Sequence, residues 1–594
     1  MVAFDVTTVG FMASVEMFEV WAPFAHDVRL LVDGAEHLMS RDDTRTGWWV
    51  LDPAVVTPRD GQRYAFRLFD GTDWSKPLPD PRSRAQPDGV HGTSQVVGAD
   101  FDWTDESWSG LHLRGQLIYE LHVGTFTDAG TFEGVVDKLD YLLGLGVTTI
   151  ELMPVQPFGG MRNWGYDGVE WFAVQDSYGG PKGLKKLVDA AHNKGIAVIL
   201  DVVYNHFGPD GNYNGSFGPY TTAGHTDWGD VVNLSGPGSD EVRAYILDAV
   251  RQWLDEFHLD GLRLDAVHAY DDRRAFSIME EIRRVSDSVA EATGVPRTII
   301  GETDQNDPRI VNDESVGGYG LSAQWLDDVH HCVHTLVSGE RQAYYVDFGT
   351  VDILADTLRY AYRFRDTWSE YRRRTHGRPL DLDAIGPWRM ITYTTTHDQT
   401  GNRAAGDRPS QYLSPAQQVL KAAVVLCSPF TPMLFMGEEF GARTPFPFFC
   451  SHTDEELNRL TREGRFHEFA RLGWDPEDVP DPSAPATFES ARLKWEFDRD
   501  QDEIFEAYQA LIGLRERYGF ARDDLREMTV DNSETWLTMS YDSPVPVVLA
   551  CNFSDAPVTV PVGGELVYSF TNPQVTADST TLEPWGFALL ERAV

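Results

Sequence analysis

The chain has 594 residues, of which 42% are hydrophobic, 12% aromatic and 24% charged, and this ordinary globular composition excludes intrinsic disorder as the main state. Its 50 basic residues face 92 acidic ones, which gives a formal charge of −42. Because so acidic a surface repels phosphate groups and anionic lipid heads, the sequence predicts no nucleic-acid partner and no membrane partner.

The cysteine pattern and the N-terminus bear on the compartment. The four cysteines are scattered without CxxC spacing, which favours reduced thiols over a disulfide framework or a zinc site. The first 23 residues lack the basic and apolar blocks of a signal peptide, and no window reaches the roughly 18 apolar residues needed to cross a bilayer. The sequence therefore predicts a cytoplasmic protein.

Short strands separated by turns are predicted at the start of the chain. Apolar and polar residues alternate in MFEVWAP, DVRLLVDG, GWWVLD and QRYAFRLFDG, and DG turns close several of these runs. The pattern predicts a β-sandwich of carbohydrate-binding type in residues 1–100. The stretch KPLPDPRSRAQPDG is rich in proline, cannot continue a β-ladder, and is expected to run as a connector.

From Gln116 the pattern changes to apolar runs followed by amphipathic segments of helix length, which indicates a parallel α/β domain. Eight strands are predicted, at QLIYELHV, VTTIELMPV, IAVILDVVY, GLRLDAV, RTIIGE, GLSAQW, RMITYTT and PMLFMG. Their number and spacing predict an α/β fold of the TIM-type (β/α)8 class with insertions, in residues 101–518. The final short β runs predict a C-terminal β-sandwich in residues 519–594.

Polar clusters end four of the predicted strands, in DVVYNH, GLRLDAVH, IIGE and TYTTTHDQ. Because the functional groups of such barrels gather at the carboxyl ends of the strands, these clusters are predicted to meet. Arg263 and Asp265 lie two residues apart on a strand, so they face the same side and the arginine keeps the carboxylate ionised. Glu302 ends the neighbouring strand in apolar surroundings, which favour its protonated form.

A pair of carboxyl groups about 5 Å apart is expected for Asp265 and Glu302, because neighbouring strands lie about 4.8 Å apart. This separation is typical of retaining glycoside hydrolysis through a covalent glycosyl-enzyme. Asp398 would supply a third carboxylate across the mouth of the barrel. Each of these acids alone would more often be a helix cap or a surface charge, so the prediction depends on their joint pattern.

These four segments, in this order and on these strands, resemble the signature regions of the α-amylase superfamily. The resemblance implies that Asp265 is the nucleophile, Glu302 the general acid and base, and Asp398 the stabiliser of the transition state. NWGYD likewise resembles the loop motif whose tyrosine stacks under the reacting sugar. The substrate-binding residues that the resemblance implies are Tyr166, His206, Arg263, His268, His397 and Gln399.

Later segments of the sequence resemble one particular family of this superfamily. AQWLDDVHHCVHTLVSGE, HDQTGNRAAGDR and GEEFGARTPFPFFCSHTDEEL are similar to those of the maltooligosyltrehalose trehalohydrolases. That family implies hydrolysis of the α-1,4 bond beside the terminal trehalose unit of a small-molecule oligosaccharide, and functional coupling to the enzyme that forms this substrate. Recognition of trehalose is expected in the loops after strands five to eight, where the candidates are Asp304, Trp325, Asp328 and Phe446 to Phe449.

Three other functions remain open from the sequence, and one of them is hydrolysis of another α-1,4-glucan. A branching enzyme would pass the glycosyl group to a sugar hydroxyl in place of water, although such enzymes typically carry HDE where Gln399 follows Asp398 here. A non-catalytic glycan-binding homologue would be expected to lack a catalytic carboxylate, and all three are present.

No cofactor is required by the implied chemistry. In calcium-dependent amylases the asparagine of the DVVYNH-like motif is a metal ligand, which leaves a calcium site at Asn205 as an alternative. The loop from Phe207 to about Ser239 is short and holds few carboxylates, however, so no metal is predicted.

Overall fold

The computed structural model describes residues 17–226, 228–471 and 479–592. Residues 1–16, on which most of the signal-peptide prediction depends, lie outside this range. Within it, no helix combines the length and the apolar character that crossing a membrane would require. The four cysteines are buried and free.

A closed barrel of eight parallel strands forms the middle of the described chain. Each strand pairs with the next in sequence order, and the eighth pairs with the first. In chain order the barrel strands are Ile118–Leu121, Thr149–Leu152, Ala197–Val202, Gly261–Leu264, Thr298–Gly301, Ala323–Trp325, Met390–Tyr393 and Thr431–Phe435. They coincide with the eight predicted apolar runs, so the TIM-type barrel is confirmed.

Helices surround the barrel and connect its strands. The longer ones are Gly180–His192, Ser239–Arg251, Ile278–Thr293, Asp327–Ser338, Val351–Tyr360, Pro415–Leu426, Glu455–Arg471 and Arg499–Tyr518. The shorter ones are Val123–Phe126, Phe132–Val136, Leu139–Leu145, Asn214–Phe217, His397–Gly401 and Pro485–Ser490. Local sequence sets the ends of these helices. In Ile278–Thr293, for example, Ser277 and Glu280 form a capping box at the start, and Gly294 ends the helix with a φ of 72°.

The N-terminal region forms two antiparallel sheets. Their strands are Glu19–Trp21, Trp48–Val50 and Ser40–Arg41 in one, and Ala35–Leu38, Asp27–Val32, Arg63–Phe69 and Ser94–Gln95 in the other. The C-terminal region also forms two sheets. The first has five strands, Met528–Asn532, Trp536–Tyr541, Val547–Asn552, Phe587–Glu591 and Glu565–Tyr568. The second has three strands, Val558–Val560, Thr580–Leu582 and Gln574–Val575. The division of the chain at residues 100 and 518 stays a prediction.

Two β-hairpins are inserted between barrel strands, and the sequence did not predict them. Thr221–His225 pairs with Asp230–Val232 after the third barrel strand. Arg365–Ser369 pairs with Arg374–Gly377 between the sixth and seventh strands.

Alternation along the barrel strands changes the interior from apolar to polar towards the carboxyl end. Ile118 and Ile199 belong to an apolar cluster inside the barrel. Glu120 and Asp201 follow two residues later, so they point to the same side one layer further along. Both acids are almost fully buried. The apolar interior therefore ends in a buried layer of acidic side chains.

A buried histidine anchors the segment that leads into the barrel. The ring of His192 contacts Asp105 through Nδ1 at 2.7 Å and Asp260 through Nε2 at 2.9 Å. Trp108 stacks on this ring at 4.6 Å and donates from Nε1 to Asp260. Burial alone would lower the pKa of His192, but the hydrogen bonds to the two carboxylates outweigh it and the pKa is raised.

Replacing His192 by Leu should lower the free energy of unfolding by about 3 to 5 kcal/mol, because two buried carboxylates lose their shared partner. Since the folded pKa lies above the unfolded value, this contribution is complete below about pH 6.5 and is lost as pH rises through the folded pKa. Urea unfolding at pH 6 and pH 9 measures it. His112→Leu, at an exposed histidine of the same segment, should change stability little. An equal loss at both pH values would contradict the expectation.

Candidate active site

Arg263 lies at the centre of the predicted site. Its side chain is 0% exposed, and its guanidinium lies 4.3 Å from the Trp325 ring. Nη1 donates to Asp201 at 2.8 and 3.0 Å and to Asp265 at 2.6 Å, while Nη2 lies 3.6 Å from Glu302. One guanidinium therefore holds acids from the third, fourth and fifth barrel strands together.

Asp265 follows the fourth barrel strand directly and uses both carboxylate oxygens as acceptors. Oδ1 accepts the bond from Arg263, and Oδ2 accepts from Asn205 Nδ2 at 2.7 Å. The next residue, Ala266, has a φ of 43°, a left-handed conformation that is strained for a residue with a side chain. This turn directs the Ala266 N–H towards Glu302.

Glu302 follows the fifth barrel strand and faces Asp265 across Arg263. Its Oε2 accepts from the Ala266 N–H at 2.7 Å. Burial raises the pKa of Glu302 to about 8; Arg263 opposes the rise, and the negative charges of Asp265 and Asp398 add to it. Glu302 therefore carries a proton at neutral pH, as an acid catalyst must.

Asp398 and His397 begin a short helix after the seventh barrel strand. The Asp398 carboxylate is 42% exposed, and its Oδ1 lies 3.4 Å from His397 Nε2. His397 also contacts the buried Glu120 through Nδ1 and through its backbone N–H. Burial alone would lower the pKa of His397, but Asp398 and Glu120 raise it to about 9. The ring is therefore an imidazolium between two carboxylates.

Tyr166 and His206 form one wall of the site. The Tyr166 hydroxyl donates to Asp201 at 2.6 Å, and its ring stacks on that of His397 at 5.1 Å. His206 contacts the Tyr166 carbonyl oxygen through Nε2 at 3.0 Å, and burial lowers its pKa. These contacts fix the Tyr166 ring at the open end of the barrel.

The remaining predicted residues occupy different places. His268 is exposed at the rim, with its ring 6.5 Å from that of Trp228, and it is not part of the Arg263 cluster. Gln399 uses its side-chain amide within the protein: Oε1 accepts from the Thr396 N–H and hydroxyl, and Nε2 donates to Asp327. The roles of both residues in substrate binding stay predictions.

Three acids of this site were not predicted from the sequence. Glu120 holds His397, Asp201 holds Arg263 and Tyr166, and Asp327 contacts Gln399. The signal for the first two was an acid at an inward position of an otherwise apolar barrel strand.

The residues considered for trehalose recognition separate into buried and accessible positions. Asp328 is buried and accepts from Asn306 Nδ2 at 2.7 Å and from the Arg363 N–H at 3.0 Å. Trp325, Phe446 and Phe449 are buried. Asp304 is exposed and pairs with Arg372.

Asn205 is the residue at which a calcium site was considered as an alternative. Its side chain forms hydrogen bonds within the site. Nδ2 donates to the Asp265 carboxylate and to the Asp265 carbonyl oxygen at 3.1 Å, and Oδ1 contacts His206. In the part of the chain that the structure describes, no group of three or more His, Cys, Asp or Glu residues is placed to hold a metal ion.

Comparison with known proteins places this geometry in context. Residues 86–229 match the family model of the alpha amylase catalytic domain, and residues 536–589 match a domain of unknown function, DUF3459. The malto-oligosyltrehalose trehalohydrolase of Mycobacterium tuberculosis is 47% identical over 97% of this chain and 99% of its own length. That of Rhizobium sp. strain M-11 is 46% identical over 95% of this chain and 96% of its own length.

A similar solved structure covers the same extent. The crystal structure of a Salmonella typhimurium protein assigned to the alpha amylases superposes with a TM-score of 0.87 at 34% identity. It covers 97% of each chain. The similarity therefore includes the regions on both sides of the barrel.

Proposed function

Because this chain belongs to the malto-oligosyltrehalose trehalohydrolase family of glycosidases, we propose that it hydrolyses the α-1,4 bond beside the terminal trehalose unit of maltooligosyltrehalose and releases trehalose. The substrate is a carbohydrate, and the bond is cleaved with retention of configuration. The mechanism depends on one observation: Asp265 and Glu302 lie at the same guanidinium, that of Arg263. Both carboxylate oxygens of Asp265 accept hydrogen bonds, and the pKa of Glu302 is raised.

The first step forms a covalent glycosyl-enzyme. A carboxylate oxygen of Asp265 attacks the anomeric carbon, the bond to the glycosidic oxygen breaks, and Glu302 gives its proton to that oxygen as trehalose leaves. Hydrogen bonds from Arg263 and Asn205 hold the Asp265 carboxylate in position for this attack. In the second step Glu302, now a carboxylate, removes a proton from water, which attacks the same carbon and frees Asp265.

Neighbouring side chains would hold the reacting glucose. The Tyr166 ring offers its face to the sugar, in an orientation fixed by the hydroxyl bond to Asp201. His397 as an imidazolium and Asp398 as an acceptor would bind hydroxyl groups of the same glucose and favour its distorted transition-state shape. His206 and His268 would line the two sides of the cleft.

The test is to supply the purified chain with maltooligosyltrehalose and, separately, with amylose. Free trehalose from the first substrate, released initially with an α-anomeric oligosaccharide as the other product, is the expected result. New α-1,6 branches in amylose would instead identify a branching enzyme. Absence of any bond cleavage would overturn catalysis altogether.

We also propose a functional coupling to the enzyme that supplies the substrate. Maltooligosyltrehalose carries an α,α-1,1 bond at one end of a maltooligosaccharide, so a reaction that converts the reducing-end linkage into that bond must precede this one. The coupling follows from substrate chemistry alone and requires no physical contact between the two enzymes.

A further inference from the structure

Asp327 is a fourth carboxylate at the open end of the barrel, and the mechanism above does not use it. It begins the helix Asp327–Ser338, just after the barrel strand that pairs with the strand leading to Glu302. Its Oδ1 accepts from the Tyr393 hydroxyl and from Gln399 Nε2 at 3.1 Å. Its Oδ2 accepts no hydrogen bond from any residue within the described ranges, and the side chain is only partly buried.

Asp327 and Glu302 follow neighbouring barrel strands, because Ala323–Trp325 pairs with Thr298–Gly301. Burial raises the pKa of Asp327 to about 7, the Tyr393 hydroxyl opposes the rise, and Asp304, Asp328 and Asp398 add to it. The charge of Asp327 in turn contributes to the raised pKa of Glu302. The strand before Asp265 pairs with the strand before Glu302 on its other side, so Asp327 lies beyond Glu302 as seen from Asp265. Because Glu302 protonates the oxygen of the leaving sugar, this position is on the leaving-group side of the site.

Gln399 fixes the orientation of Asp327. The Gln399 Oε1 accepts from the Thr396 N–H at 2.9 Å and from the Thr396 hydroxyl at 2.7 Å, which completes a capping box. Turning the amide over would set its NH2 group against the Thr396 N–H and its oxygen against the Asp327 carboxylate, so the NH2 group points at Asp327. A glutamate here would place a second carboxylate against Asp327, at a cost in electrostatic repulsion.

We propose that Asp327 is a specificity-determining residue that accepts hydrogen bonds from hydroxyl groups of the leaving trehalose unit, and that Gln399 is the positioning residue that aims it. The inference rests on the proposed function and deepens it. A leaving sugar with differently placed hydroxyls would leave Oδ2 of this partly buried carboxylate without a partner, and a site built for hydrogen bonding discriminates strongly against such a ligand.

The test compares two substrates with equal numbers of glucose units, maltooligosyltrehalose and the plain maltooligosaccharide. Both offer the same α-1,4 bond and differ in the leaving sugar. For Asp327→Asn, kcat/KM on maltooligosyltrehalose should fall about 10- to 100-fold. The fall on the maltooligosaccharide should be several-fold smaller. Equal losses on both substrates, or no loss on either, would overturn the proposal.

Asp328→Asn is the matched control, because the neighbouring carboxylate is buried against Asn306 and Arg363. It should leave the ratio of kcat/KM values between the two substrates unchanged, even if the melting temperature falls. If the unaltered chain releases no trehalose, the proposed function fails; if it does and Asp327→Asn keeps the ratio, only this inference fails.

The role of Gln399 has its own test. Gln399→Glu should reduce the substrate ratio in the same direction as Asp327→Asn. In the variant that carries both substitutions, the amide introduced at position 327 can donate to the carboxylate introduced at position 399, so the combined loss should not exceed that of Gln399→Glu alone. Fully additive losses would show that the two residues act independently and would remove Gln399 from the proposal.

Discussion

Asp265→Asn should lower kcat by at least about 10⁴-fold, because the amide cannot form the covalent bond to the anomeric carbon. The replacement keeps the size of the side chain and an oxygen that can accept from Arg263, so substrate binding should change far less than turnover. Steady-state rates of trehalose release, with KM measured in the same experiment, give the two effects separately.

A small external nucleophile separates loss of the nucleophile from general damage. In Asp265→Gly, azide can occupy the space of the missing carboxylate and attack from the same face, while Glu302 still protonates the leaving oxygen. The product should be a β-glycosyl azide. Retained hydrolysis in Asp265→Asn would refute the assignment of Asp265 as the nucleophile. Failure of azide to restore cleavage in Asp265→Gly, at an unchanged melting temperature, would refute it as well.

The fold and the centre of the site could be predicted because they depend on local patterns. Each barrel strand is an apolar run long enough to be recognised, and two of the clustered acids, Asp265 and Glu302, follow such runs directly. Arg263 and Asp265 lie two residues apart, so their contact follows from strand geometry. The raised pKa of Glu302 was anticipated from its apolar neighbours Ile299 and Ile300.

What could not be predicted depends on contacts between distant strands. Glu120 and His397 are 277 residues apart, and no local pattern pairs them. Asp327 and Asp328 are adjacent at the start of a helix, so their side chains point in different directions. Asp327 accepts a hydrogen bond from Gln399, and Asp328 accepts one from Asn306. Only Asp328 of this pair was a sequence-based candidate, since propensity and spacing do not distinguish which acid lies at the cleft.

Glu302→Gln should lower kcat/KM on maltooligosyltrehalose by about 10²- to 10⁴-fold, because the leaving oxygen loses its proton donor. The pKa of about 8 sets the sign of the pH dependence. The unaltered enzyme holds the required proton below that pH, so kcat/KM should fall as pH rises through about 8. In the variant this basic limb should be absent, because an amide does not titrate.

A substrate with an activated leaving group tests whether the lost function is protonation. In a 4-nitrophenyl α-maltooligosaccharide the leaving group is 4-nitrophenolate, a stabilised anion, so formation of the glycosyl-enzyme should need little help from residue 302. Glu302→Gln should then release a burst of 4-nitrophenol before turnover slows, since no base activates water. Glu291→Gln, on the exposed face of Ile278–Thr293, should keep the parent pH profile. A basic limb that persists in Glu302→Gln would assign that titration to another group, and His397, with its pKa of about 9, is the alternative within the site.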